Sequence, residues 1–191
     1  MPVRIKPVRN SVLIMLLCAA LGSAQQVNPD AALLADFQKR VDEYMKAYKA
    51  AAAGLPALKP NASAEKLVHN QHELTERMHH ARKGIPQGSL FTPEISAEFR
   101  RLIKIAMGGG DAARVDASLK HAEPVRMKAR LKVNEQYPRE VPLQSMPPTL
   151  LSNLPPLPPE LSYRLVGDYL VLIGVKTNLV VDFIPGAMAA K

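Results

Sequence analysis

Between Pro138 and Pro159 the chain carries eight prolines in twenty-two residues. Each proline fixes its own φ near −65°, removes a backbone donor and pushes the residue before it out of the helical region. No helix or central strand of ordinary length fits into that stretch. It reads as an extended strap, largely polyproline-like, with one helical turn at residues 149–153. The strap divides the 191 residues into two kinds of pattern: helical periodicity before it, strand-like runs after it.

Upstream, Asn28-Pro29-Asp30 combines a capping side chain, a proline at the first helical position and an acid at the positive end of the dipole. Leu33, Phe37, Val41, Tyr44, Tyr48 and Ala52 then recur every three or four residues and the pattern stops at Gly54, which predicts one amphipathic helix. Ser63 is placed to cap a second helix that reaches Lys83 and stops at Gly84, with Leu67, Gln71, Leu74, Met78 and Ala81 as its inner stripe. A short proline-containing connection between two such helices predicts an antiparallel hairpin. Thr92-Pro93-Glu94 opens a third helix with Ile95, Phe99, Leu102, Ile103 and Ala106 facing inward, ended by Gly108-Gly109-Gly110. Residues 111–121 can form a short fourth helix through Ala112, Val115 and Leu119.

At Val125 the period changes to two. Val125, Met127, Ala129, Leu131 and Val133 alternate with Arg126, Lys128, Arg130 and Lys132, the signature of a half-buried strand with a basic outer face. After the strap, Leu161–Val166, a Gly167-Asp168 turn and Tyr169–Ile173 predict a hairpin, and residues 179–184 read as a third strand or a short helix. The expected organisation is a leader at 1–24, a helical region at 25–122, the basic strand at 123–137, the strap at 138–160 and a β-hairpin or meander at 161–191. Helices first and strands afterwards make an α+β fold with a small antiparallel sheet.

The N-terminus supplies an address. Arg4, Lys6 and Arg9 precede ten apolar residues, Val12–Leu21, and then Gly22-Ser23-Ala24. That order is a secretory signal peptide, with cleavage expected after Ala24. As a helix the apolar run is about 15 Å long, about half of a ~30 Å hydrocarbon core, too short for a permanent anchor. The only cysteine, Cys18, lies inside it. A lipid-acceptor role would want a small residue just upstream, where Leu17 stands, so Cys18 is expected to leave with the leader. Cleavage removes three of 25 basic residues, leaving 22 against 17 acids and a net charge of +5. An exported chain of that charge points to anionic envelope components or an envelope protein as partners and away from nucleic acid. No later stretch is long and uncharged enough to span a membrane.

Several clusters carry possible chemistry. On the second helix His69, His72, Glu76 and His80 share a face with Glu73, opposite the apolar stripe, and His79 lies beside them. Imidazole with carboxylate suits zinc, nickel or copper. A straight helix, however, offers one ion at most two adjacent ligands, and His121 is the only other histidine. A solvated outer face is the plainer account, and no cofactor is expected unless a divalent transition metal binds here. Arg126, Lys128, Arg130 and Lys132 form a stripe that could grip phosphates or other anions; equally, they can pair with Glu135, Glu140 or Asp168 and protect an edge strand from aggregation. Gly108-Gly109-Gly110-Asp111 follows a helix and lacks a following Lys-Ser/Thr, so it is a helix stop rather than a phosphate loop. In the 84–91 loop, Phe91 sits where a hydrophobic staple is expected. For catalysis the chain lacks a Gly-x-Ser-x-Gly elbow and a His-Glu-x-x-His pair, and it is read as a non-enzyme. Asp182, between Val181 and Phe183, is the one carboxylate in an apolar setting, and is expected to cap or pair at a strand end.

Three segments of the second half resemble something known: residues 154–167, Leu-Pro-Pro-Leu-Pro-Pro-Glu-Leu-Ser-Tyr-Arg-Leu-Val-Gly; Leu170-Val171-Leu172-Ile173; and Asn178-Leu179-Val180-Val181-Asp182-Phe183-Ile184. Together they are similar to the tails of many small exported bacterial proteins of unknown function. Those proteins also have a Thr-Pro-Glu helix start and a Val-Asn-x-x-Tyr-Pro segment, here Val133-Asn134-Glu135-Gln136-Tyr137-Pro138. The resemblance implies export and brings no activity with it. The tail alone also resembles the periplasmic nickel/cobalt-homeostasis proteins, which end in a proline stretch, a Tyr-Arg strand, a glycine turn and two apolar strands. Their helical part is not recognisable here, so no ligand is carried over. The expected function is a non-catalytic periplasmic binding or interaction protein working through the 84–91 loop, the basic strand and the strap. The alternative is a metal-binding protein using His69, His72, Glu76, His79 and His80.

Overall fold

A computed structural model of the chain describes residues 29–57, 61–108, 131–138 and 144–188. It has the expected α+β architecture. Three helices, α1 (Pro29–Ala52), α2 (Ala64–Ala81) and α3 (Pro93–Gly108), precede a two-residue strand β1 (Gln144–Ser145), a single helical turn α4 (Pro148–Leu151) and strands β2 (Leu161–Val166), β3 (Tyr169–Gly174) and β4 (Val180–Ile184). The strands pair antiparallel in chain order, β1-β2-β3-β4. Residues 179–184, readable either way from sequence, are strand. No helix among the described residues is long and apolar enough to cross a membrane.

α1 and α2 form the expected antiparallel hairpin. Passing up α2, Asn70 donates to Pro56 O, Arg77 to Ala51 O and Ala53 O, and the Arg82 guanidinium lies over Tyr44. Arg77 thereby satisfies carbonyls left open at the end of α1, at the negative end of its dipole. α1 buries Phe37, Val41, Tyr44 and Tyr48 as its spacing predicts, with Ala51 rather than Ala52 completing the stripe. α2 departs from expectation: Leu67 is 46% exposed, Gln71 and Ala81 are exposed, and the buried face is Leu74, Thr75, Met78 and Arg82. The reason is what this face meets. Beside α1 it packs on the turn and last strand of the sheet, whose carbonyls want donors: Thr75 Oγ1 approaches Thr177 O at 3.3 Å, and Arg82 donates to Val181 O at 2.9 Å. In α3, Thr92 Oγ1 accepts from Ile95 N, and Ile95, Phe99, Ile103 and Ala106 turn inward.

The sheet is covered on both faces, and the strands show why. β3 reads Tyr-Leu-Val-Leu-Ile-Gly without polar alternation, and all but Tyr169 are buried. Leu161, Tyr163, Leu165, Leu170, Leu172 and Ile184 join the helical core, while Val166, Val171, Ile173, Val180 and Phe183 pack under Leu131 and Tyr137. Continuous apolar runs are what two-sided burial requires.

The segment over the second face departs from the expected basic strand at residues 131–137, the part of it that the structure describes. Val125–Arg130 lie outside the described residues, and residues 131–137 are an irregular turn with a single bridge, Gln136 to Leu179. Asn134 adopts φ 71°, which breaks the pleat, and its side chain donates to His79 O. The expected fourth helix at 111–121 also lies outside the described residues. In the strap, α4 starts at Pro148, one residue ahead of the expected turn, and Leu150 and Leu154 are buried anchors. The pairing of β1 with β2 is not visible in the sequence pattern, because two residues carry no period.

Gly174 ends β3 where the chain has no room for a side chain. A Cβ there would collide with Thr177 Oγ1 and lie 3.1 Å from Tyr44 Oη. Both neighbours are buried. Gly174→Ala is therefore expected to lower unfolding free energy by about 1–3 kcal/mol, the usual cost of overpacking. Urea denaturation checks this, and no change would show that Thr177 yields freely.

Candidate functional site

The most strongly determined polar constellation joins the 84–91 loop to β4. Asp182 stands in the run Val-Val-Asp-Phe-Ile and is 0% exposed. Its Oδ1 accepts from Gly88 N at 3.0 Å and Phe183 N at 2.9 Å, and its Oδ2 from Leu90 N at 2.8 Å and Phe91 N at 2.9 Å. The loop can present three amides to one carboxylate because Gly84 and Gly88 take φ of +80° and +86°, values that cost glycine little and other residues much. Leu90 and Phe91 are thereby drawn inward. Phe91 stacks on Phe37 at 5.6 Å and meets Phe99 edge-on at 5.1 Å, so it is a core ring and more than a staple.

Arg82, immediately after α2, is 4% exposed. Its guanidinium lies 5.1 Å above the Tyr44 ring, and one Nη donates to Val181 O. Burial pulls its pKa down, while Tyr44 and Asp182 act to hold it up. The same burial pushes the Tyr44 phenol up to about 12, so it is a neutral hydroxyl at ordinary pH. That hydroxyl makes no hydrogen bond of normal geometry, although Thr177 lies close enough to favour its ionised form slightly.

Beside this cluster lies a cavity of about 140 Å³. Arg82, Ser89, Arg40 and Glu43 supply its polar wall, and Tyr44, Ala47, Ala81, Ile85 and Leu90 its apolar one. Arg40 is held by Asp36 at 2.9 Å and donates to Ser89 O at 2.8 Å. Among the described residues, four buried side-chain polar atoms lack a partner: Tyr44 Oη, Arg82 Nε, Ser89 Oγ and Asn134 Oδ1. Three of the four belong to residues lining this one small cavity.

The sequence-derived site residues fare differently. His69, His72, Glu76, His79 and His80 are all exposed along α2, and Glu73 is engaged by Arg77 at 2.9 Å. Among the described residues, no group of three or more His, Cys, Asp or Glu side chains is placed to hold a metal ion. His72 instead lines a groove of about 550 Å³ with Gln71, Gln136 and Asn178. Of the basic stripe, Arg126, Lys128 and Arg130 lie outside the described residues, and Lys132 pairs with Glu135 at 3.0 Å, both exposed. Three amides of the 84–91 loop, expected to be a working surface, are spent on Asp182. Sequence reasoning missed Arg82 and Ser89. Arg82 had a signal: it continues the buried Leu74, Met78 spacing by four, but a cation after a helix end reads as a dipole partner. Ser89 had none.

No protein-family model, curated protein or solved structure matches the chain.

Breaking the Asp182 cluster has a calculable consequence. Asp182→Asn replaces one acceptor oxygen by an NH₂ group, leaving two of the four amides facing a donor. The expected loss is about 3 kcal/mol, since buried donors without partners cost about 1–3 kcal/mol each. Thermal or urea unfolding measures it; a loss below about 1 kcal/mol would mean that the loop re-forms around the amide.

Proposed function

We propose that the chain is an exported, non-catalytic binding protein and that the Arg82–Ser89 cavity is where it takes its ligand. The cavity carries the reading. Arg40, Glu43, Arg82 and Ser89 set a polar wall against an apolar one around one space large enough for a small guest. The reading as a non-enzyme draws support from Asp182. It is the carboxylate best placed for acid–base chemistry by its apolar setting, and four backbone N–H groups already occupy it. Export draws support from the basic–apolar–small order of residues 1–24 and from the resemblance to small exported bacterial proteins. An anionic envelope component or an envelope protein is the partner class that a net charge of +5 favours.

Native mass spectrometry of the protein recovered from the envelope of its host tests both halves. The expected species begins at Gln25 and carries a small non-covalent adduct lost on denaturation. A chain with Met1 intact in the cytosol would contradict export, and an adduct-free chain beginning at Gln25 would contradict a resident ligand.

A further inference from the structure

The edge of the sheet beyond β4 carries an open backbone site with a groove beside it. Tyr137 N donates to Asn178 O at 2.8 Å and Val180 N to Glu135 O at 2.9 Å, so these two bonds flank the Gln136–Leu179 bridge. In an antiparallel pair of that kind the N–H and C=O of the two bridged residues turn away from each other. Leu179 turns its carbonyl to Gly174 N in β3, and Gln136 turns both its groups outward. Gln136 is exposed, and neither group has a partner among the described residues. The open stretch is short: Asn134 at φ 71° breaks the pleat before it, and Pro138 has no N–H after it. Such brackets keep a second sheet from pairing along the edge and leave room for one short strand.

The groove, of about 550 Å³, is lined by Val68 and His72 of α2, by Val175 of the β3–β4 turn and by Gln136. Val68 and Val175 are 65% and 51% exposed, Val68 the most exposed large hydrophobic among the described residues. No Lys, Arg, Asp or Glu lines the groove, and Lys132 and Glu135 beside it neutralise one another at 3.0 Å. A charged side chain would lose its hydration there without gaining a counter-charge. Directly opposed residues of an antiparallel pair point their side chains to one face. Leu179 belongs to the helical core, so a residue paired with Gln136 from outside also faces the helices.

We infer that the groove between α2 and the Gln136 edge takes a short extended peptide of a partner protein, added as one further antiparallel strand. Its backbone exchanges two hydrogen bonds with Gln136, and the aliphatic side chain of the paired residue lies against Val68 and Val175. Main-chain bonds supply affinity, and the valine wall selects the side chain. This surface is separate from the Arg82–Ser89 cavity.

The test titrates the full mature protein with the capped peptide acetyl-Thr-Val-Thr-Val-Thr-amide, following the amide signals of Gln136, Val175 and Asn178 by ¹H–¹⁵N spectra. All three are expected to shift saturably, and the Gln136 amide to gain protection from exchange. The same peptide N-methylated at both valines keeps its side chains but loses the N–H groups that Gln136 O would accept from. It should bind at least about tenfold more weakly. With aspartate in place of both valines, binding should vanish. Val175→Ser alters an exposed side chain, so it should leave the unfolding midpoint unchanged while weakening the peptide about fivefold. Equal binding of the N-methylated peptide would overturn strand addition. Binding undiminished by Val175→Ser would place the peptide elsewhere and overturn the assignment, as would the absence of any saturable shift at Gln136. Shifts of the same signals with protein concentration alone, together with a doubled mass, would give the groove to a second copy of this chain and overturn it too.

Discussion

A carboxylate with no exposed surface is costly to bury unless the protein replaces the hydrogen bonds that water would have made. Asp182 obtains four such bonds, three of them from a loop that lies more than ninety residues away in sequence. The consequence runs outward in both directions. On one side the loop is pulled onto β4, which seats Phe91 against Phe37 and Phe99 and so brings the starts of α1 and α3 together. On the other, Arg82 at the loop's entrance is drawn to the carbonyl next to Asp182 in the chain and over Tyr44. Helical half and sheet half are tied at this point by directional bonds, where apolar contact alone would allow them to slide.

The small sheet depends on that tie. Its strands are apolar on both faces. The helices cover one, and the turn around Asn134 covers the other by borrowing hydrogen bonds from the β4 edge, Asn134 N to Val180 O and Val180 N to Glu135 O. That cover meets the helices through Asn134 Nδ2 on His79 O, at the end of the same helix that carries Arg82. α2 and the Arg82 that follows it therefore meet the sheet and its cover at three polar points, Thr75, His79 and Arg82. These contacts account for its buried face not being the apolar stripe that its spacing suggests.

Much of the architecture was legible in the chain itself, because long periodic segments and turn glycines report local preferences. α1 and α3 begin and end where proline, acid and glycine punctuate them, and the β2–β3 hairpin turns at Gly167 as its pattern requires. Failures cluster where a partner distant in sequence decides the outcome. Leu67 and Gln71 belong to a stripe by period, yet both stand exposed, and Leu131–Val133 alternate like a strand but yield to the positive φ of Asn134. Asp182 was recognisable as an oddity in an apolar run, and its role as an acceptor for a remote loop was not. The cavity was invisible for the same reason: Ser89 and Arg82 are ordinary residues until the Asp182 cluster folds the loop around them.

The carboxylate cluster also explains how a small protein can keep unpartnered donors beside its core. A loop held by three strong bonds does not relax to satisfy Ser89 Oγ or Arg82 Nε internally, so the space beside it stays formed. Amide hydrogen exchange tests this most directly, because an exposed loop and a clamped one differ by orders of magnitude in protection. The amides of Leu90 and Phe91 should exchange as slowly as those of Leu170 and Leu172 in β3, opening only with global unfolding. If they exchange as freely as the amide of the exposed Gln87, the loop is not held by Asp182, and the tie between the two halves must be sought elsewhere.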